Sequence, residues 1–442
     1  MRRLAGGKSR ECNRRTPTAS KAARRAVQAV RRRRHGRRRF LIESRRMIVC
    51  VRQLTLWRLA IPMRRAFEHA TASRSQAEPL VVQAELSNGA VGFGETHPRP
   101  YVSGESTDSA IADIRDRLAP HISTVRGTCF PEALEAIDAL PLTLEHARAC
   151  TAARAGVELA LIDAFARGFG RPIDEVAGWL GLPGLGTTDG LPKVRFSGVI
   201  GGDDPARVMS SVRKMRCFGL RDFKLKVGDA NDDSRLRAAL SALGERSLRL
   251  GRRTLRLDAN GGWSLEDARR RLADWAGLPV VSVEQPLPRG TESEWHRLRA
   301  VSPVGLMADE SLVTPGDAEI LLRHRVCDGF NIRLSKNGGL MPALRLAGLG
   351  KRHGIAIQLG CMVGETSILS AVGRWFLSMV PGVRFAEGSF GRFLLRDDLI
   401  RPAIRFGYGG GWTAPRGPGW GIQVDAAALE RLSETRPIRL RM

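Results

Sequence analysis

Leu255-Arg256-Leu257-Asp258-Ala259-Asn260, Val280-Val281-Ser282-Val283-Glu284-Gln285-Pro286 and Val304-Gly305-Leu306-Met307-Ala308-Asp309-Glu310-Ser311 share one plan. Each is a short apolar run that ends on a carboxylate followed by polar residues. Asp258, Glu284 and Asp309 stand 26 and then 25 residues apart, the length of one strand–helix unit. Three neighbouring parallel strands would then present one acid apiece at the same height. One acid after a strand reads most simply as a helix cap. Three in register would repel one another without a cation, and hard oxygen donors with room for water suit Mg²⁺, with Mn²⁺ as the alternative.

The same texture extends in both directions. Apolar runs at Val194–Val199, Phe223–Val227, Leu255–Leu257, Val280–Val283, Val304–Ala308, Gly329–Leu334, Ala356–Leu359 and Val383–Ala386 alternate with amphipathic segments. In the segment after the third run, Leu265, Ala268, Leu272 and Trp275 fall on one helical face. Eight such units predict a parallel β/α barrel over an open doubly wound sheet.

Two lysine positions complete the pattern. Lys224-Leu225-Lys226 ends the second run, and alternation places both lysines on one face. Burial and mutual repulsion predict a lowered pKa for both, the condition for a lysine to act as a base near neutrality. Lys336, in Arg333-Leu334-Ser335-Lys336-Asn337-Gly338-Gly339, follows the sixth run. Four strands on from Lys226, it would face that residue across an eight-stranded lumen.

Before the barrel the reading is α+β. Leu80–Leu86 and Ala90–Glu95 flank a Ser87-Asn88-Gly89 hairpin turn, Ile61–Phe67 reads as a loop, and residues 147–168 read as a helix stopped by Gly168 and Gly170. The chain has 442 residues, with 43% apolar and 26% charged content, and no apolar run of the roughly 18–20 residues that a membrane helix needs. Seven scattered cysteines without a CxxC pair predict neither a disulfide framework nor a zinc site, and a reducing, cytoplasmic setting. The net charge of +26 is concentrated at one end: residues 1–46 carry 18 Lys+Arg against Glu11 and Glu43. This stretch is expected to be a disordered basic tail. It is either an arm for nucleic-acid phosphates or, with Met47 standing directly before the first strand, a product of a start assigned too far upstream.

The ordered set KLK, DANGGW, VEQPLP, ADES and LSKNGG resembles the muconate-lactonizing branch of the enolase superfamily, over residues 47–442. That branch holds muconate cycloisomerases, o-succinylbenzoate synthases, N-acylamino-acid racemases and dipeptide epimerases. Val157–Asp163 resembles the family's helix leading into the barrel, and Gly94-Glu95-Thr96 with Tyr101–Glu105 resembles a capping loop over substrate. The resemblance implies an α+β capping domain at 47–150, a catalytic modified TIM (β/α)7β barrel at 151–400 and a segment at 401–442 returning to the cap. It implies Asp258, Glu284 and Asp309 as Mg²⁺ ligands, Lys226 and Lys336 as opposed acid–base groups, and Lys224 as the residue that tunes Lys226. Glu387, Glu365, Asn260 and Tyr101 are candidate substrate contacts. Expected partners are a small carboxylate substrate and further copies of the chain, with no membrane. The reaction expected is proton abstraction alpha to a carboxylate, giving cycloisomerisation or epimerisation; o-succinylbenzoate synthase-like dehydration is the alternative. Cys361 rather than histidine ends the seventh run, which disfavours histidine-dependent dehydration. Only Glu387 matches the acid pair with which dipeptide epimerases hold an ammonium. A catalytically idle barrel with a nucleic-acid-binding arm is the competing class.

Overall fold

The computed structural model describes residues 47–69, 72–145, 148–186, 194–202 and 204–442. The basic tail therefore lies outside the described residues. In the first layer, β1 (Val49–Arg58), β4 (Leu80–Leu86) and β5 (Val91–Thr96) form an antiparallel sheet, closed on its other edge by β15 (Ile438–Arg441). Gly89, at φ 82°, makes the predicted turn between β4 and β5.

The first departure from expectation is at 61–69, which is a strand. β2 (Ile61–His69) pairs with β3 (Ala72–Ala77) as a separate two-stranded hairpin. Pro62 reads as a loop signal because it lacks an N–H. An isolated pair with a register shift between Pro62 and Phe67 tolerates it.

Thr151–Phe169 is a helix buried on every side from Thr151 to Ala166, which explains its weak amphipathicity. It presses on β5 where the sheet has no side chains: a Cβ on Gly92 would stand 2.1 Å from Ala164 N, and one on Gly94 would stand 2.2 Å from Gly156 O. Gly170, left-handed at φ 61°, ends the helix.

The second layer is one parallel eight-stranded sheet in sequence order: β7 (Gly198–Ile200), β8 (Asp222–Lys226), β9 (Thr254–Asp258), β10 (Ser282–Glu284), β11 (Gly305–Ala308), β12 (Gly329–Ile332), β13 (Ala356–Leu359) and β14 (Phe385–Ala386). (β6 is the short Arg126–Gly127 strand that pairs with β1.) A parallel bridge between Phe196 and Ala386 joins the two ends of the sheet. Helices follow the strands: Pro205–Cys217, Asp232–Leu243, Leu265–Asp274, Trp295–Arg299, Pro315–His324, Leu340–Arg352 and Ser367–Met379. After β14 only the four-residue helix Gly391–Leu394 forms. Ala268, Leu272 and Trp275 turn inward as the periodicity predicts, with Leu265 half-buried.

Three buried glutamates cap helices, and two of them, Glu158 and Glu95, stitch the layers together. Glu105 accepts from Ala152 N and Ala153 N at 2.8 and 2.9 Å. Glu158, inside the long helix, accepts from Leu340 N and Met341 N at 2.7 and 2.9 Å. Glu95 on β5 accepts from Thr366 N and Leu369 N at 2.8 and 2.9 Å. Each satisfies orphan amides at a positive helix end. Among the described residues no helix is long and apolar enough to cross a membrane, and the described cysteines are all free.

Candidate active site at the mouth of the barrel

Strand register brings the predicted residues together. Lys226 pairs with Asp258 on the next strand, and Asp258 pairs with Glu284 on the one after. Asp309 follows β11 directly, and Asp258, Glu284 and Asp309 are all fully buried.

Lys224 is enclosed by acids: its Nζ lies 3.1 Å from Asp258 Oδ2, 3.2 Å from Glu284 Oε1 and 2.7 Å from Glu387 Oε2. Burial pushes its ammonium toward deprotonation, but Glu284, Glu387 and Asp258 outweigh it, so its pKa rises. This reverses the expected direction. The same contacts engage Glu387, whose Oε1 lies 3.2 Å from Arg256, and Lys224 and Arg256 overcome burial to lower its pKa. Glu387 is thus an internal counterion in this arrangement.

Lys226 Nζ donates to Asp258 Oδ2 at 2.6 Å and to Asn260 Oδ1 at 2.7 Å. Asn260, left-handed at φ 45°, donates its amide side chain to Glu310 Oε1 at 3.1 Å and so orients Lys226. Burial pushes Asp258 up, but Lys226 and Lys224 prevail and hold it well below the usual carboxylate range. Lys336 Nζ donates to Asp309 Oδ1 at 2.9 Å and to the carbonyls of Asp309 and Asn331 at 2.7 and 2.9 Å. Burial first, then Arg333, push its pKa well below the ordinary lysine value. Arg333 also grips Asp309 Oδ2.

A cavity of about 400 Å³ has Lys224, Lys226, Arg333, Glu365 and Glu387 in its wall, while Lys336 and the three strand-end carboxylates are buried outside that lining. Glu365 accepts from Met362 N at 2.7 Å, and burial raises its pKa to about 8. Two predicted contacts, Tyr101 and Asn260, are not in this wall: Tyr101 sits in a turn and is 45% exposed, and Asn260 is turned onto Lys226 and Glu310.

A deeper polar layer, marked by no sequence motif, lies beneath these groups. Asn331 Nδ2 and Gln358 Nε2 donate to the two oxygens of Glu284 at 2.7 and 2.9 Å. Arg256 donates to Ser197 at 2.9 Å and to Gln358. The available signal was alternation: Arg256 lies two residues before Asp258, and Asn331 two before Arg333.

Among the described residues no three His, Cys, Asp or Glu side chains converge as a metal cluster. The reason is visible in the pairing, since Asp258, Glu284 and Asp309 each turn onto lysine or arginine. The donor chemistry nevertheless fits a hard divalent cation. Three carboxylates end three successive strands, and next to them the buried Oε2 of Glu310 has no hydrogen-bond partner.

Residues 52–178 match the family model described as mandelate racemase / muconate lactonizing enzyme, N-terminal domain, and residues 207–428 match the one described as enolase C-terminal domain-like. The chain is 31% identical over 371 residues to an L-Lys-D/L-Arg epimerase of Methylococcus capsulatus, covering 79% of this chain and 95% of that one. It is 28% identical over 381 residues to muconate cycloisomerase 1 of Rhodococcus opacus, covering 84% and 95%. The N-succinyl Arg/Lys racemase of Bacillus cereus superposes with a TM-score of 0.76 at 23% identity, covering 89% and 100%. With both halves of the fold matched and relatives aligned along nearly their whole length, the chain belongs to the enolase superfamily, in its muconate-lactonizing branch, and is an enzyme of the isomerase and epimerase type.

Proposed function

We propose that the protein moves a proton on the carbon alpha to a carboxylate, inverting that centre, as a racemase or epimerase of a small carboxylic acid. The observation that carries this reading is the placement of two lysines. Lys226 ends β8 and Lys336 follows β12, four strands apart in a sheet of eight, with the three carboxylate-bearing strands between them. A substrate lying over that wall would have one lysine on each face of its α-carbon.

In this reading Asp258, Glu284 and Asp309 hold Mg²⁺, or Mn²⁺ in its place. The bound cation would supply positive charge to the substrate carboxylate, without which an α-proton is too weakly acidic for an amine. Asp309 would have to give up part of its hold on Arg333 for this. Lys336, with its lowered pKa, serves as the base that takes the proton. Lys226, clasped by Asp258 and Asn260, returns one to the opposite face. Lys224, held as an ammonium, moves no proton: it keeps Glu284, Glu387 and Asp258 from repelling one another. Dipeptide substrates are disfavoured because Glu387, the acid positioned for an ammonium, is engaged by Lys224 and Arg256.

The test is exchange of α-protons in D₂O with Mg²⁺, using both enantiomers of N-acyl amino acids and muconate-type lactones, followed by NMR. Wild type should exchange both enantiomers of one substrate. Lys226→Ala and Lys336→Ala should each abolish turnover by at least about 10³-fold, each sparing some exchange from the enantiomer that faces the remaining lysine. Exchange of both enantiomers that survives in each variant would remove the lysines from the chemistry.

A further inference from the structure

The barrel wall has a weak seam. Among the described residues, β14 and the strand end leading into β7 meet through the Phe196–Ala386 bridge, with Ser197 N donating to Ala386 O at 2.8 Å. Beyond it the chain turns away through Glu387, Gly388 and Ser389, and no full eighth helix covers the outside. The cavity beside Lys224 and Lys226 continues into this seam, past Gly198, Val199 and Gly388. Its width depends on missing side chains: a Cβ on Gly198 would stand 2.7 Å from Met215 Sδ.

Outside the seam the lining changes character. Met215, Phe218, Phe393 and Phe406 form the wall, with ring centroids 6.2 Å apart for Phe218–Phe393, 6.0 Å for Phe218–Phe406 and 5.2 Å for Phe393–Phe406. The acids Glu387 and Glu365 stay at the lysine end, and the cation in this outer part is the exposed Lys214.

We infer that the substrate carries a bulky apolar arm, aryl or branched alkyl, which lies in this seam while its carboxylate sits by Lys226 and Lys336. This rests on the proposed function and specifies its substrate class. An aryl arm would exchange water for aromatic contacts across the cleft. An arm ending in a second charge would lose hydration in an apolar channel whose one cation stands at the exposed end.

The experiment is calorimetric titration of the full chain, in Mg²⁺, with butyrate, 4-phenylbutyrate and adipate. The expected result is 4-phenylbutyrate binding at least about tenfold tighter than both others. Val199→Trp, which plugs the neck, and Phe393→Asp, which charges the rim, should each cut that preference to threefold or less. Phe393 is 45% exposed, so the second variant is placed to fold even if the first does not. Equal affinity for butyrate and 4-phenylbutyrate, tighter binding of adipate, or a preference that persists in a folded variant would each overturn the inference. Because binding is read without turnover, the lysine variants and the D₂O assay fail or succeed independently of it.

Discussion

Lys224 and Lys226 sit two positions apart on one strand yet differ in kind. Alternation showed that both face the lumen, and the structure agrees. Sequence distance hid what surrounds Lys224, because Glu387 arrives from more than 160 residues downstream. A lysine judged by its sequence neighbours looks repelled; judged by its spatial ones it is held as a cation. Lys224→Met should therefore strand three buried acids and destabilise the protein by about 3–5 kcal/mol in urea unfolding. If those acids hold Mg²⁺, millimolar Mg²⁺ should recover more stability in this variant than in wild type. Asp309→Asn should weaken Mg²⁺ binding by at least about tenfold, read by calorimetry without substrate. The polar layer of Arg256, Asn331 and Gln358 was legible in principle from period two. It was passed over because an arginine or amide within a strand carries no motif.

Among the elements, long periodic segments were read well and edges poorly. The helix after β9 and the β4–β5 turn follow directly from spacing and from Asn88-Gly89. The strand β2 did not, because Pro62 argues against any strand that must donate along its length, and only the pairing shows that this one need not. The last strand of the barrel shrinks to Phe385–Ala386 for a related reason: its continuation turns into the site and leaves the seam. Packing between elements was invisible to sequence. Gly92 and Gly94 set the distance at which the long helix lies on the sheet. Gly94→Val places a side chain on the backbone of that helix. It should lower stability by about 2–4 kcal/mol, or prevent soluble expression, while Gly89→Asn in the open turn should change little.

At the scale of the molecule, stability should depend on pH in an unusual sense. Burial raises Glu158 to about 7, Asp163 to about 6 and Asp398 to about 6. For an acid whose folded pKa exceeds its unfolded one, the folded state holds a proton that the unfolded chain has released. Stability is then greatest below about pH 4–4.5 as far as these groups are concerned, and falls as pH rises through 6 to 7. Glu158 alone corresponds to a loss on the order of 3 kcal/mol across that window. Thermal melts should drop between about pH 4.5 and 7, and Glu158→Gln should flatten the drop. An unchanged slope in that variant would assign the dependence elsewhere.

The glutamates that cap helices across the two layers also bear on traffic. Raising the first layer off the barrel as one piece would strip Glu95 from Thr366 and Leu369, and Glu158 from Leu340 and Met341. Each of these bonds is worth about 0.5–1.5 kcal/mol, and an amide or acceptor stranded in the interior costs roughly a further 1–3 kcal/mol. A door hinged there would open too rarely to serve each turnover. Reactants should instead come and go by a local route, with the β2–β3 hairpin and the short helix at Gly391–Leu394 yielding while the seam between layers stays shut. Hydrogen exchange during turnover would show it: the amides of Leu340, Met341, Thr366 and Leu369 should remain as protected as in the resting enzyme.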